Sequence, residues 1–115
     1  MKGSLGDKQR LLHILEAIAE IENYTINQTF PDFISNSMMR FASIKQIEII
    51  GEAANLVTVA TREQFSAIEW RQIIGLRHIL VHEYFGIDAQ LIWQVIIDDL
   101  PVLKNKVQEI LAQLP

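Results

Sequence analysis

Apolar residues recur at helical spacing along most of the chain, and the strict alternation that marks a half-buried strand is absent. In the first segment they fall at positions i, i+3, i+4 and i+7, the pattern of an amphipathic helix with one buried face. We predict that this helix runs from Asp7 to Tyr24, with Asp7 as its N-cap. Its apolar positions are Leu11, Leu12, Ile14, Leu15, Ile18 and Ile21.

A second long helix is predicted from about Met38 to Val59, because the same spacing returns there. A loop over residues 25–31 and a short turn over residues 31–34 precede it, and Ser37 is the expected N-cap. The small residues Ala53 and Ala54 would let another helix approach closely. The apolar positions of this helix include Phe41, Ile44, Ile47, Ile50, Ala54 and Val57.

The last third of the chain predicts two or three further helices. After a connection from Thr61 to Ile68, one helix begins near residue 69 or 70 and reaches residue 83 or 84, with Gly86 as its C-terminal stop. Asp88 is expected to cap the next helix. Pro101 either starts a new helical segment or kinks the preceding one. The apolar stripe continues through Leu91, Ile92, Val95, Ile96, Leu103, Val107, Ile110 and Leu111.

These elements predict an all-α bundle of four to five helices with short loops. Its 115 residues fit a single domain, 1–115, in which residues 1–6 are expected to form a flexible N-terminus. Half of the residues are apolar, which is enough for a sizeable core, yet no apolar run approaches the ~20 residues that span a bilayer. The N-terminus also lacks the apolar core of a signal peptide, so we expect a cytoplasmic protein.

Composition narrows the possible chemistry. The chain has no cysteine, which excludes disulfides, thiolate catalysis and cysteine-bound zinc. Its formal net charge of -4 disfavours broad, unspecific binding along nucleic acid, which needs a basic face. That charge still permits a small site that holds one or two phosphates, and it suits a partner that is another protein.

The most informative segment is the end of the third long helix, which carries Arg77, His78, His82 and Tyr84. Arginine offers a planar donor fork for phosphate oxygens, and histidine exchanges a proton near neutral pH. At about 100° per residue, Arg77 and Tyr84 lie within roughly 20° of one face, whereas His82 points roughly 140° away from Arg77. Either a loosened last turn or a twofold dimer could bring the arginine and histidine together, and a dimer would supply both an acid and a base.

Each of these residues also has a purely structural interpretation. Arg77 could lie along a helix face and pair with a surface carboxylate, and His82 could be a core histidine bonded to a backbone carbonyl. Tyr84 could end the helix with a buried ring and a hydroxyl in water. His78 and His82 have the i, i+4 spacing of metal ligands, but a third ligand is missing. We therefore predict neither a metal site nor a cofactor.

The spacing Arg77-x4-His82-x-Tyr84 resembles the signature of HEPN domains in its HepT-like form. Similarity to that family extends from about Asp7 to Leu111. One departure concerns the position after the arginine, which is often asparagine in the family; here it is His78, either a second imidazole or a weakening change. The segments that carry the resemblance are Arg10–Ile18, Ile47–Ala54, Trp70–Arg77 and Val81–Asp88, followed by Trp93 and Asp99-Leu100-Pro101.

The resemblance implies an all-helical HEPN fold, a homodimer with the motif at its cleft, and a metal-independent ribonuclease. It implies the toxin of a type II/VII-like toxin–antitoxin pair, whose partner is an MNT-type nucleotidyltransferase antitoxin that can attach AMP to Tyr84. Catalysis is then expected from Arg77 on the scissile phosphate and His82 on the ribose 2′-hydroxyl or the leaving oxygen, with His78 and Tyr84 positioning the RNA. The alternative is a non-catalytic helical binding partner of a nucleotidyltransferase. A third interpretation, a purely structural helical dimer, leaves the polar motif unexplained.

Overall fold

Helix is the only regular secondary structure in the part of the chain that the computed structural model describes, residues 4–83 and 85–114. This confirms the predicted all-α class. In the same residues, no helix is both long enough and apolar enough to cross a bilayer. The elements are α1 (Ser4–Thr25), α2 (Phe30–Ser35), α3 (Ser37–Leu56), α4 (Val59–Gln64), α5 (Trp70–His82), α6 (Ala89–Gln94), a π-helical segment (Val95–Asp99) and α7 (Leu100–Gln113).

The core forms where the apolar faces of the long helices meet. The helix α3 packs along α1 on one side and along α5 on the other, and α7 packs against α1. The predicted stripe of α1 is the centre of this core, since removing such side chains from water is the main favourable term in folding. Its residues Leu11, Ile14, Ile18 and Ile21 are all at most 1% exposed.

The start of α3 differs from the prediction in two respects. Its N-cap is Asn36, whose side-chain oxygen accepts a hydrogen bond from the Met39 N–H at 3.0 Å, and Ser37 is already the first helical residue. Phe41, predicted in the buried stripe, is 60% exposed. The reason is helical geometry: Phe41 is nine residues before the buried Ile50, and nine steps of about 100° place it on the opposite side of α3.

Asp7 does not cap α1, which begins three residues earlier, at Ser4. Its carboxylate is 1% exposed and accepts hydrogen bonds from the Thr58 N–H at 2.9 Å, from the Thr58 hydroxyl at 2.7 Å and from the Thr61 hydroxyl. Three donors thereby compensate for burying a charge. Thr58 is in turn the N-cap of α4, a helix in a stretch that the sequence predicted as a connection from Thr61.

The chain after α5 follows the prediction more closely. Asp88 caps α6, and its side chain accepts a hydrogen bond from the Gln90 N–H at 2.9 Å. Pro101 lies in the first turn of α7, directly after the π-helical segment. Because proline has no N–H, it cannot continue the hydrogen-bond ladder of the preceding helix, so a widened turn followed by a new helix satisfies the backbone better. The predicted stop at Gly86 is wrong, since α5 ends at His82 and its C-cap is Glu83.

Candidate functional site

The helix α5 carries the described candidate residues and is anchored at its start. At its start, Trp70 is 7% exposed and its indole N–H donates to the Phe65 carbonyl at 3.1 Å. At its end, the Glu83 N–H donates to the Ile79 carbonyl at 2.8 Å. Leu80 is buried in the core, so α5 has a fixed apolar face. The polar residues of the motif consequently lie on the remaining sides of the helix.

Arg77 lies against α3 at Gly51 and Glu52. A Cβ atom at Gly51 would clash with the Cβ of Arg77, so the glycine is what allows the two helices to approach here. The guanidinium Nε of Arg77 is 3.0 Å from Oε1 of Glu52, and the arginine side chain is 35% exposed. Arg77 thus pairs with a carboxylate, as its purely structural interpretation predicted. This ion pair holds Arg77 through its Nε atom. The two terminal nitrogens of the guanidinium are the atoms that can bind a phosphate.

Arg77 lines a polar groove between α1, α3 and α5, with a volume of about 230 Å³. We call it the Arg77 groove. It holds three arginine or lysine side chains against two glutamates, so a small anion would meet a locally positive surface despite the acidic net charge. Its polar side chains besides Arg77 are Arg10, His13, Lys45, Glu48 and Glu52.

His78 and His82 form a pair on another side of α5. Their ring centroids are 4.3 Å apart, with a tilt of 46° between the rings, and both residues are exposed. His82 is therefore not the core histidine that the structural interpretation allowed. One imidazole of such a pair can donate a proton while its neighbour accepts one, so the pair has the chemistry of an acid and a base.

The structure brings His78 and His82 together but does not bring Arg77 to them. Arg77 and His82 both belong to the continuous helix α5, and five residues of helix separate their directions by roughly 140°. Arg77 leans toward α3, whereas His82 is exposed at the last turn. The loosened last turn that could have joined them does not occur before His82. Within one protomer, the two side chains therefore leave α5 in different directions.

Tyr84 lies outside the described residues, so its predicted place on the arginine side of the helix stays a prediction. Two residues without a predicted role contact Arg77, namely Gly51 and Glu52. A glycine inside an otherwise helix-forming segment was the available signal for a close approach. In residues 4–83 and 85–114, no group of three or more histidine, aspartate or glutamate side chains could hold a metal ion.

Comparison with known proteins gives one consistent result. The sequence model of the family described as ribonuclease HepT-like matches residues 14–110. A candidate RNase of Methanocaldococcus jannaschii, MJ1380, is 40% identical over 101 residues, which cover 88% of this chain and 93% of that protein. A candidate RNase of Caldanaerobacter subterraneus, TTE0752, is 36% identical over 103 residues, 90% of this chain and 92% of that protein. The probable ribonuclease HepT of Thermococcus cleftensis is also 36% identical over 103 residues, with 90% and 94% covered. No solved structure matches the chain.

Proposed function

Because this chain belongs to the HepT-like ribonuclease family, we propose that it is an endoribonuclease that cleaves RNA without a metal ion, through Arg77 and His82. The observation that supports this most is the exposed imidazole pair at the end of α5. A histidine pair at the surface of a helix has no packing role. In a ribonuclease family, such a pair suits proton transfer to and from RNA.

The proposed reaction uses the RNA's own 2′-hydroxyl as the nucleophile. His82 takes the proton of that hydroxyl or gives one to the leaving 5′-oxygen. The bond from O2′ to phosphorus forms while the bond from phosphorus to O5′ breaks, which leaves a 2′,3′-cyclic phosphate and a 5′-hydroxyl. Arg77 binds the non-bridging oxygens and stabilises the charge that builds up on them. The 2′-hydroxyl requirement restricts the reaction to RNA, and its proximity to the phosphate supplies much of the rate.

A homodimer is part of the proposal because the two side chains diverge within one protomer. In a twofold dimer, each Arg77 can face the His82 of the other subunit across a shared cleft, which one helix cannot achieve alone. His78 beside that His82 is then the second imidazole of each site, so each Arg77–His82 pair has both an acid and a base. A specific interface of this kind buries about 1,200–2,000 Å² in total.

We further propose control by a nucleotidyltransferase of the MNT type, acting as the antitoxin of this ribonuclease, in the cytoplasm. Its target would be Tyr84, whose hydroxyl would receive an AMP group. The added phosphate would pair with Arg77 and withdraw it from RNA, because arginine binds phosphate oxygens through charge-assisted hydrogen bonds. The adenosine would at the same time obstruct the cleft.

Two observations favour a second function, a non-catalytic partner that docks on a nucleotidyltransferase. Glu52 already neutralises part of the Arg77 guanidinium, as a structural arginine would require. The net charge of -4 also suits a protein partner better than RNA. Cleavage of RNA by the isolated protein separates the two functions.

The direct test incubates purified protein with RNA in EDTA. We expect cleavage by the wild type, and a loss of about 10²–10⁴ in rate for His82→Ala. Gln72→Ala is a matched control, since Gln72 is another exposed polar residue of α5 and has no role in the proposal. Cleavage that survives His82→Ala would refute the assignment of this residue. A wild type without ribonuclease activity would support the docking function.

A further inference from the structure

A second groove begins beside the start of α5, and nothing in the proposed reaction uses it. It has a volume of about 620 Å³ and is formed by the end of α3, by α4 and by the first half of α5. We call it the Arg71 groove, after its exposed arginine. Its charged side chains are Arg62, Glu63 and Arg71, and the amide of Asn55 and the hydroxyl of Ser66 add neutral polar groups. The groove is thus locally positive in a chain whose net charge is negative.

Both arginines of this groove lack a full set of acceptors among the described residues. The Nε atom of Arg62 is buried and has no hydrogen-bond partner in residues 4–83 and 85–114. In the same residues, neither Arg62 nor Arg71 forms an ion pair. Arg71 is exposed and has no ion pair among these residues, so no protein acceptor competes with an anion for its guanidinium. The planar fork of arginine fits phosphate oxygens in particular.

The groove continues onto the face of α5 that ends at His82. In helical projection Arg71, Gly75, His78 and His82 lie within roughly 60° of one another, over a rise of about 16 Å. Gly75 leaves a gap in this face, because an added Cβ atom there would meet nothing within 4 Å. A polymer lying in the Arg71 groove could therefore pass close to the backbone at Gly75 on its way to the imidazole pair.

We infer that the Arg71 groove is a substrate subsite, which holds the sugar–phosphate backbone of single-stranded RNA away from the bond that is cut. This rests on the proposed ribonuclease function. The occupant is an RNA backbone because the groove offers the exposed fork of Arg71 on the face of α5 that ends at His82, with a second arginine, Arg62, in its lining. Base stacking contributes little, since the nearest aromatic ring, Trp70, is buried and its N–H is already bonded. Binding here is accordingly insensitive to base sequence.

The test compares two substrates of different length. A dinucleotide contains only the scissile phosphate, whereas an oligonucleotide of roughly 12 nucleotides can also fill the groove. We expect Arg71→Ala to lower kcat/KM for the oligonucleotide by about five- to tenfold and to leave the dinucleotide unchanged. In a His82→Ala background, the slope of log K against log salt for the oligonucleotide should become shallower by about 0.7 per lost phosphate contact. Arg62→Lys, which keeps the charge but loses the fork, should act in the same direction.

Lys104→Ala is the charge-matched control, because this substitution also removes one positive charge. Lys104 pairs with Glu22 where α1 meets α7, away from the Arg71 groove. Equal losses on both substrates for Arg71→Ala would mean a structural role and overturn the subsite. Equal oligonucleotide losses for Arg71→Ala and Lys104→Ala would mean a general charge effect and overturn it as well. Failure of the proposed ribonuclease function can be distinguished from failure of the subsite, because in that case the wild type cleaves neither substrate.

Discussion

Replacement of Gly51 by alanine should disturb Arg77 through packing, without removing any atom from the proposed site. The new methyl group would clash with the Cβ of Arg77, and it would lie 3.1 Å from the Ile73 carbonyl oxygen and 3.3 Å from Cγ of Arg77. A backbone oxygen in a helix cannot turn aside. Either α3 and α5 move apart locally, or Arg77 leaves its present position beside Glu52.

Two opposing terms set the change in stability. Alanine favours a helix interior over glycine by about 1 kcal/mol, whereas overpacking typically costs about 1–3 kcal/mol. Gly51→Ala should therefore lower the free energy of unfolding by about 0–2 kcal/mol. Gly75→Ala has only the favourable term, because its methyl group meets open space. The gain in helix propensity is the same in both variants and cancels. The free energies of unfolding of Gly51→Ala and Gly75→Ala should therefore differ by about 1–3 kcal/mol, which corresponds to roughly 4–12 °C in Tm.

Calorimetry at equal protein concentration measures this difference, and RNA cleavage measures its consequence. We expect kcat/KM of Gly51→Ala to fall at least about tenfold, since a misplacement near 1 Å can cost about 10². Ile110→Val controls for stability, because it costs about 0.5–1.5 kcal/mol in the buried part of α7. Equal Tm values for the two glycine variants would refute the close packing. Equal activity of Gly51→Ala and Ile110→Val would refute the positioning of Arg77.

Three further predictions concern the fold and its control. Asp7→Ala should lower the free energy of unfolding in urea by at least about 2 kcal/mol, because the N–H and hydroxyl of Thr58 lose their buried acceptor; a change within error would show that water replaces it. The N–H of Thr29, and to a lesser extent its hydroxyl, donate to Asp32 and lower the pKa of that carboxyl group. The ionised carboxylate therefore stabilises α2 fully at pH values above its ordinary pKa, and this stabilisation is lost as the pH falls through the folded-state pKa. Stability on acidification should then fall less in Asp32→Asn than in the wild type, and parallel curves would exclude the contribution. Intact-mass spectrometry after incubation with the nucleotidyltransferase and ATP should detect AMP on the wild type but not on Tyr84→Phe; adducts on both would place the modification elsewhere.

The regular parts of the fold were predictable because their period is set by local geometry. The stripe of α1 and the cap at Asp88 depend on residues within a few positions of each other, and both were confirmed. Asp7 shows the limit of that reasoning. A carboxylate near a helix start is a good N-cap candidate, yet its actual partners are 51 and 54 residues away, on α4. Phe41 shows another limit, since steps of three residues drift around a helix and leave the buried face.

The candidate site divides in the same way. The divergence of Arg77 and His82 followed from helical rotation alone, and both are in the regular helix α5. The contacts of Arg77 with Gly51 and Glu52 did not follow, because they depend on how α3 packs on α5. Sequence spacing within one helix carries no information about the register of another. A glycine inside a helix was the only local sign that a neighbour approaches at that point.

The central claim is that Arg77 of one subunit acts with His82 of the other, and mixed dimers test it most directly. Arg77→Ala and His82→Ala are each expected to be inactive alone. After subunits exchange at random, half of the dimers contain one of each variant, and each of these keeps one intact pair out of two, so about a quarter of wild-type activity should return. Restoration near that level is the predicted result. No restoration, in mixtures whose exchange is verified by mass spectrometry, would contradict a site shared between subunits.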